Sequence, residues 1–156
     1  MPDRRLIRIE LPEAPPPPSA YAEADRRQAI EDLLRGNRFA PDGLGPGPFT
    51  LHLMVREGRL ILDIRDKDDS PLRAIILVLG PFRRLIKDYL MLVDNHEAAV
   101  TLGAMDARVQ AIDMGRRGLH NEAAELLTTR LDGRIAVDFE TARRLFTLIA
   151  ALHQRV

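Results

Sequence analysis

Between residues 49 and 79 apolar and polar side chains run in three strand-like stretches parted by short polar turns, and from Gly80 onward apolar residues recur at helical spacing instead. That change of period constrains the fold more than any other feature. A period near two puts one set of side chains on one face of a sheet, and a period near 3.6 puts them on one stripe of a helix. Phe49, Leu51, Leu53 and Val55 share a face, and Glu57-Gly58 supplies the first turn. Leu60, Ile61, Leu62 and Ile64 follow over 59–65, then a polar turn over 67–71, then a third strand over 72–79. The AIILVL core of that third strand is apolar on both faces, which predicts a central strand covered on both sides. Strands grouped before helices predict an α+β class rather than a repeated βαβ unit. The expected architecture is a three-stranded antiparallel meander with added edge strands and helices packed mainly on one face.

Beyond the meander, Gly80-Pro81 ends the strand and starts a helix with Pro81 at N1. Phe82, Leu85, Ile86, Tyr89, Leu90 and Val93 form its stripe to about Asp94, and the pattern extends toward Leu102. Asp106 is expected to cap a second helix toward Leu131, closed by Asp132-Gly133. Ile135, Ala136 and Val137 read as a short strand added to the sheet. Asp138 caps a last helix from Phe139 to about Gln154, with Ala142, Leu145, Phe146, Ile149, Leu152 and His153 on its stripe. Before the meander, Leu6, Ile7, Ile9 and Leu11 suggest an edge strand. Residues 12–19 read as a stiff proline-rich connector. Ser19 caps a helix over 21–35 that buries Ala22, Ala29, Ile30, Leu33 and Leu34, and Gly36 is placed as a left-handed C′ residue. Residues 38–48 read as a Gly/Pro-rich loop. The whole of 1–156 is expected to be one domain.

Composition narrows the chemistry. Twenty-three basic and 23 acidic residues leave a formal net charge of zero, with no basic half to track a nucleic-acid backbone. No segment has the apolar length of a membrane span or the h-region of a secretory signal, so neither nucleic acid nor membrane is an expected partner and the cytoplasm is the expected compartment. With no cysteine there is no thiolate nucleophile, disulfide or Cys-ligated metal. Ser19 and Ser70, the two serines, sit at a cap and in a turn, outside any nucleophile elbow. Lys67 and Lys87, the two lysines, lie in a turn and on a helix flank, poor places for a Schiff base. There is no Gly-Lys-Ser/Thr triplet, and the Gly43, Gly45, Gly47 series leads into no helix. His52, His96, His120 and His153 share no ligand spacing, and Asp63, Asp66, Asp68 and Asp69 lack the glycine and closing glutamate of a calcium loop. No metal and no cofactor is expected.

Two arginine groups stand out. In Gly80-Pro81-Phe82-Arg83-Arg84 a strand feeds a helix start, where free N–H groups favour an anion and Arg83 or Arg84 would clamp it. Arg84 also has Asp88 one turn away. The second is the block Asp113, Arg116, Arg117, His120, Asn121 and Glu122, interrupted by Gly115 and Gly118. By 100° steps Arg116 falls inside the apolar stripe of Val109, Ile112, Leu119, Ala123, Leu126 and Leu127. A buried arginine needs a partner, and Asp113 is the nearest. The block reads either as a buried Arg–Asp–His network or as a ligand or partner site. Arg144 is expected to reach solvent.

PFRRLIKDY (81–89), AIDMGRRGLHNEAAELL (111–127) and VDFETARRLFTLIAALH (137–153) resemble blocks of a family of small, functionally uncharacterised bacterial proteins, and a looser match including LILDIRD (60–66) extends over nearly the whole chain. The resemblance implies a compact bacterial cytoplasmic domain and carries no activity to transfer. With no complete catalytic constellation, the leading expectation is a non-catalytic interaction or regulatory module. Met91, Leu92 and Val100 widen the apolar face of the helix after Pro81, which points to a homodimer. The alternative is a small-molecule enzyme or sensor that holds a phosphate or carboxylate through Arg83, Arg84, Arg116 and Arg117, with His120 or Glu122 handling protons.

Overall fold

A computed structural model describes residues 3–101, 103 and 106–153. The elements are β1 (Leu6–Glu10), α1 (Ala20–Arg35), β2 (Phe39–Pro41), β3 (Phe49–Arg56), β4 (Arg59–Arg65), β5 (Pro71–Val78), a 3-10 turn (Gly80–Phe82), α2 (Arg83–Thr101), α3 (Asp106–Leu131), β6 (Ile135–Val137) and α4 (Phe139–Leu152). The class is α+β. The expected continuation of α2 to Leu102, the capping side chain of Asp106 and the expected end of α4 at Gln154 lie outside the described residues.

The meander forms as its alternation requires. β3 pairs antiparallel with β4 and β4 with β5. Glu57 and Gly58 both take a left-handed φ (52° and 75°), the geometry that two-residue hairpin turns demand. The sheet is nevertheless four-stranded and mixed, in the order β1-β3-β4-β5, because β1 pairs parallel with β3. Parallel neighbours need a long crossover, and α1 lies within the one that joins them. The Asn37 side chain, just past α1, ties the crossover down by accepting from the Leu6 amide (2.7 Å) and donating to the Leu6 carbonyl (3.0 Å). Gly36 is extended at φ −169°, not the left-handed C′ residue expected, so the chain leaves α1 straight into this contact.

Four further expectations are corrected. β6 joins β2 in a separate two-stranded antiparallel sheet instead of extending the meander, and β2 lies in the segment read as loop. Phe39, Ala40 and Pro41 are all buried, so three residues carry no alternation to read. β5 is an edge strand with one open face, not a central strand. Ile75 and Leu77 enter the core while Leu72, Ile76 and Val78 remain 41%, 53% and 59% exposed. Periodicity records which side chains are apolar and not what covers them. Leu34, expected on the buried face of α1, is exposed.

One core cluster runs from Leu6 on β1 to Leu152 on α4. Ser19 and Asp138 cap α1 and α4 as their residue types suggest, accepting from the amides of Ala22 (3.0 Å) and Thr141 (2.9 Å). α4 is enclosed all round, with six consecutive buried residues from Leu145 to Ala150. α3 runs unbroken through both glycines. A side-chain Cβ at Gly115 would meet Leu92 of α2 at 3.6 Å, an ordinary packing contact, so the glycine faces α2 without being required by a close approach. The proline segment is strapped down rather than free: Arg26 donates to the carbonyls of Pro15 (3.1 Å) and Ala151 (3.3 Å). Among the described residues no helix is long and apolar enough to cross a membrane.

Candidate functional site

α1, α3 and α4 meet around a cavity of about 280 Å³ whose walls include Asp25 and Asp32 from α1, Arg116 and His120 from α3, and Arg143 and Thr147 from α4. Local sequence explains the convergence. Tyr21, Asp25 and Ala29 are four residues apart on α1, so the buried Ala29 carries Asp25 toward the core. Arg143 and Thr147 share a face of α4 by the same spacing.

Arg116 lies inward, as the helical wheel places it, with its side chain 24% exposed. It donates to the Tyr21 hydroxyl at 2.7 Å and meets the Asp25 carboxylate at 3.4 Å. Asp25 also accepts from the Tyr89 hydroxyl at 2.8 Å. Burial and the adjacent Asp25 carboxylate raise the Tyr89 phenol, which stays a neutral donor. Asp113, the expected partner of Arg116, lines the same cavity but meets His96 of α2 at 3.3 Å instead. Tyr21 in turn lies against the His96 ring, with centroids 5.0 Å apart.

His120 Nε2 is 3.0 Å from the Thr147 hydroxyl, and its ring lies 5.0 Å from Tyr89. Burial, then the charges of Arg116, Arg143 and Arg144, lower its pKa to about 4. The imidazole is therefore neutral near pH 7 and has no imidazolium proton to give in that range. A measurable consequence follows for stability. The unfolded chain takes up a proton near the ordinary value of 6.5, whereas the folded chain resists until about 4. The contribution of this group is absent above 6.5, grows more destabilising as pH drops from 6.5 to 4, and is constant below. The steepest loss is up to about 1.4 kcal/mol per pH unit. Urea midpoints of wild type and His120→Gln between pH 7 and 4.5 read this directly: the variant should show the shallower decline. Parallel curves would remove His120 as the cause.

The remaining sequence candidates separate. Arg117 lines the cavity but is exposed, with no ion pair among the described residues. Asn121 and Glu122 are exposed and outside the cavity lining. Glu122 meets Arg84 of α2 at 2.5 Å, and Arg84 also reaches Asp88 at 3.4 Å. Arg83 is exposed, and the 3-10 turn uses the first backbone donors at this helix start, Phe82 N–H to Leu79 and Arg83 N–H to Gly80. The two arginine groups are thus separate places, and neither Arg83 nor Arg84 lines the cavity. Arg144 is not the solvated side chain expected. It is 32% exposed and bridges Asp32 (3.3 Å) and Glu140 (3.1 Å). Sequence reasoning missed Tyr21, Asp25, Asp32, Tyr89, Arg143 and Thr147. The four-residue spacing of Tyr21, Asp25 and Ala29 was a usable signal for the first two. The turn acids are used internally: Asp66 accepts from the amides of Asp68 and Ser70, both at 2.9 Å, and Asp69 meets His52 at 3.0 Å.

A family model described as an uncharacterised protein family (UPF0262) matches residues 3–155. A UPF0262 protein of Granulibacter bethesdensis is 54% identical, over 98% of this chain and 92% of its own length. One from Acidiphilium cryptum is 58% identical over 88% and 84%, and one from Maricaulis maris 49% over 98% and 96%. No solved structure matches this chain.

Proposed function

Because the chain belongs to the UPF0262 family, whose description assigns no activity, its own surfaces carry the reading, and we propose that it is a non-catalytic interaction module of the bacterial cytoplasm that pairs with a second copy through the open face of β5. The observation that carries this is the row of outward apolar side chains on an edge strand. Ile76 and Val78 are more than half exposed, and the register sets Ile76 beside Ile61 and Ile61 beside Met54. Open apolar rows of this kind are a recurring sign of an association surface.

Charge argues for a second copy as the occupant. The hairpin at one end of the meander carries the exposed Arg59, and the turn at the other end carries the exposed Asp68, neither in an ion pair among the described residues. A two-fold arrangement sets Arg59 of one copy against Asp68 of the other, with the apolar row between them. The free edge of β5 is less suited to strand addition, since Arg134 already donates to the Ile76 carbonyl at 3.2 Å. Face-to-face sheet packing is therefore the mode proposed.

Light scattering on a sizing column tests this. Wild type should run as a dimer and Ile76→Asp as a monomer. Because Ile76 is already exposed, the variant should keep its folding stability within about 0.5 kcal/mol. A wild-type monomer at high protein concentration would refute the proposal.

A further inference from the structure

The arginine-walled cavity is independent of the β5 face, and its unmatched donors carry a separate conclusion. Four arginines face three aspartates around it. Each aspartate is already engaged, two of them by Arg116 and Arg144 of the same wall. Asp25 serves Tyr89 and Arg116, and Asp113 meets His96. Asp32 serves Arg144, Arg35 (3.5 Å) and Gln28 (2.9 Å).

The donors are not all matched in return. Arg143 gives its NH1 to Glu140 at 3.1 Å, but its Nε is buried with no hydrogen-bond partner among the described residues. Arg117, on the rim, has no ion pair among them either. A buried guanidinium N–H without an acceptor is costly, and Arg143 lines the cavity from which an oxyanion would supply one. From these features we infer that the cavity between α1, α3 and α4 is a binding site for a small phosphate-type oxyanion, held by Arg143 and Arg117.

Chemistry and size agree on the ligand class. A planar guanidinium offers paired donors that match two oxygens of one phosphate, which a lysine ammonium does not. A space of about 280 Å³ is at the lower limit of ordinary small-molecule pockets and suits a phosphate or a compact phosphorylated metabolite. His120 is bound to Thr147 and held neutral, so the site is arranged to hold the anion and not to transfer a proton to it.

Isothermal titration of the full chain with inorganic phosphate tests the site, with citrate and with chloride at matched ionic strength as comparison arms. The expected result is saturable binding of phosphate, weakened about tenfold or more in Arg143→Lys and in Arg117→Ala. Arg143→Lys keeps the charge and loses the forked donor. Arg117 is exposed, so Arg117→Ala remains a test if the first variant folds poorly. Equal heats with phosphate and chloride would overturn the site, as would wild-type phosphate affinity in Arg117→Ala. Saturable citrate binding without phosphate binding would overturn the phosphate assignment. Dimerisation through β5 is read in a different experiment on different residues, so the two ideas fail separately.

Discussion

Phe146→Ala is expected to cost the fold about 3–5 kcal/mol, the largest effect of any single substitution considered for this protein. Phe146 is fully buried at the middle of α4, within the run of six consecutive buried residues. Its ring stands edge-on to Tyr89 with centroids 5.7 Å apart and to His120 at 6.5 Å. Edge-to-face rings add to the burial itself. Truncation leaves a void that the enclosed helix cannot close by moving to one side, because β3, α1 and α3 already bound it. The void also lies under the Tyr89 ring, whose hydroxyl holds Asp25 in place. Phe139, at the start of the same helix and exposed, is the control: Phe139→Ala should cost less than about 1 kcal/mol. Urea unfolding of both variants measures the difference. A Phe146→Ala loss no larger than that of Phe139→Ala would show that α4 is not the centre of the core.

Which parts of this fold could be read from sequence follows from which interactions are local. The meander was legible because alternation, turn residues and strand neighbours all lie within a few positions of one another, down to the two-residue turn at Glu57-Gly58. The caps at Ser19 and Asp138 were legible for the same reason. The parallel pairing of β1 with β3 was not, since nothing in Leu6–Glu10 records which strand lies across a crossover that contains a helix. β2 and β6 were illegible as partners because two three-residue strands have no period to compare. The inward direction of Arg116 could be computed from 100° steps, but its partner could not. Asp113 is three residues away and turns to His96, while Asp25, 91 residues away, takes the guanidinium. Arg144 fails in the opposite direction, because the helical wheel gives the flank it occupies and not the Asp32 of α1 that stands beside it.

The Asp25 network gives the second large effect. Asp25→Ala is expected to cost about 3 kcal/mol, because one deletion strands two groups. The Tyr89 hydroxyl, on a side chain 2% exposed, loses its acceptor at 2.8 Å, and Arg116 loses the carboxylate at 3.4 Å. Stranding one member of a fully buried ion pair costs roughly 3–5 kcal/mol. Arg116 and Asp25 keep 24% and 19% of their side-chain surface, so the pair alone falls below that range, at about 2 kcal/mol. The buried hydroxyl adds about 1 kcal/mol. Arg116→Ala should therefore cost about 2–3 kcal/mol and Tyr89→Phe about 1 kcal/mol. Arg144→Ala should cost less than about 1 kcal/mol, since its partners Asp32 and Glu140 keep other contacts or solvent. Adding Arg116→Ala to Asp25→Ala should cost less than the sum of the two, because the second deletion removes a group that the first has already stranded. Strict additivity in that cycle would mean that the contact with Asp25 contributes nothing to the fold. In that case the inward turn of Arg116 would be left to the Tyr21 hydroxyl alone, and Tyr21→Phe would then have to reproduce the whole effect of Arg116→Ala.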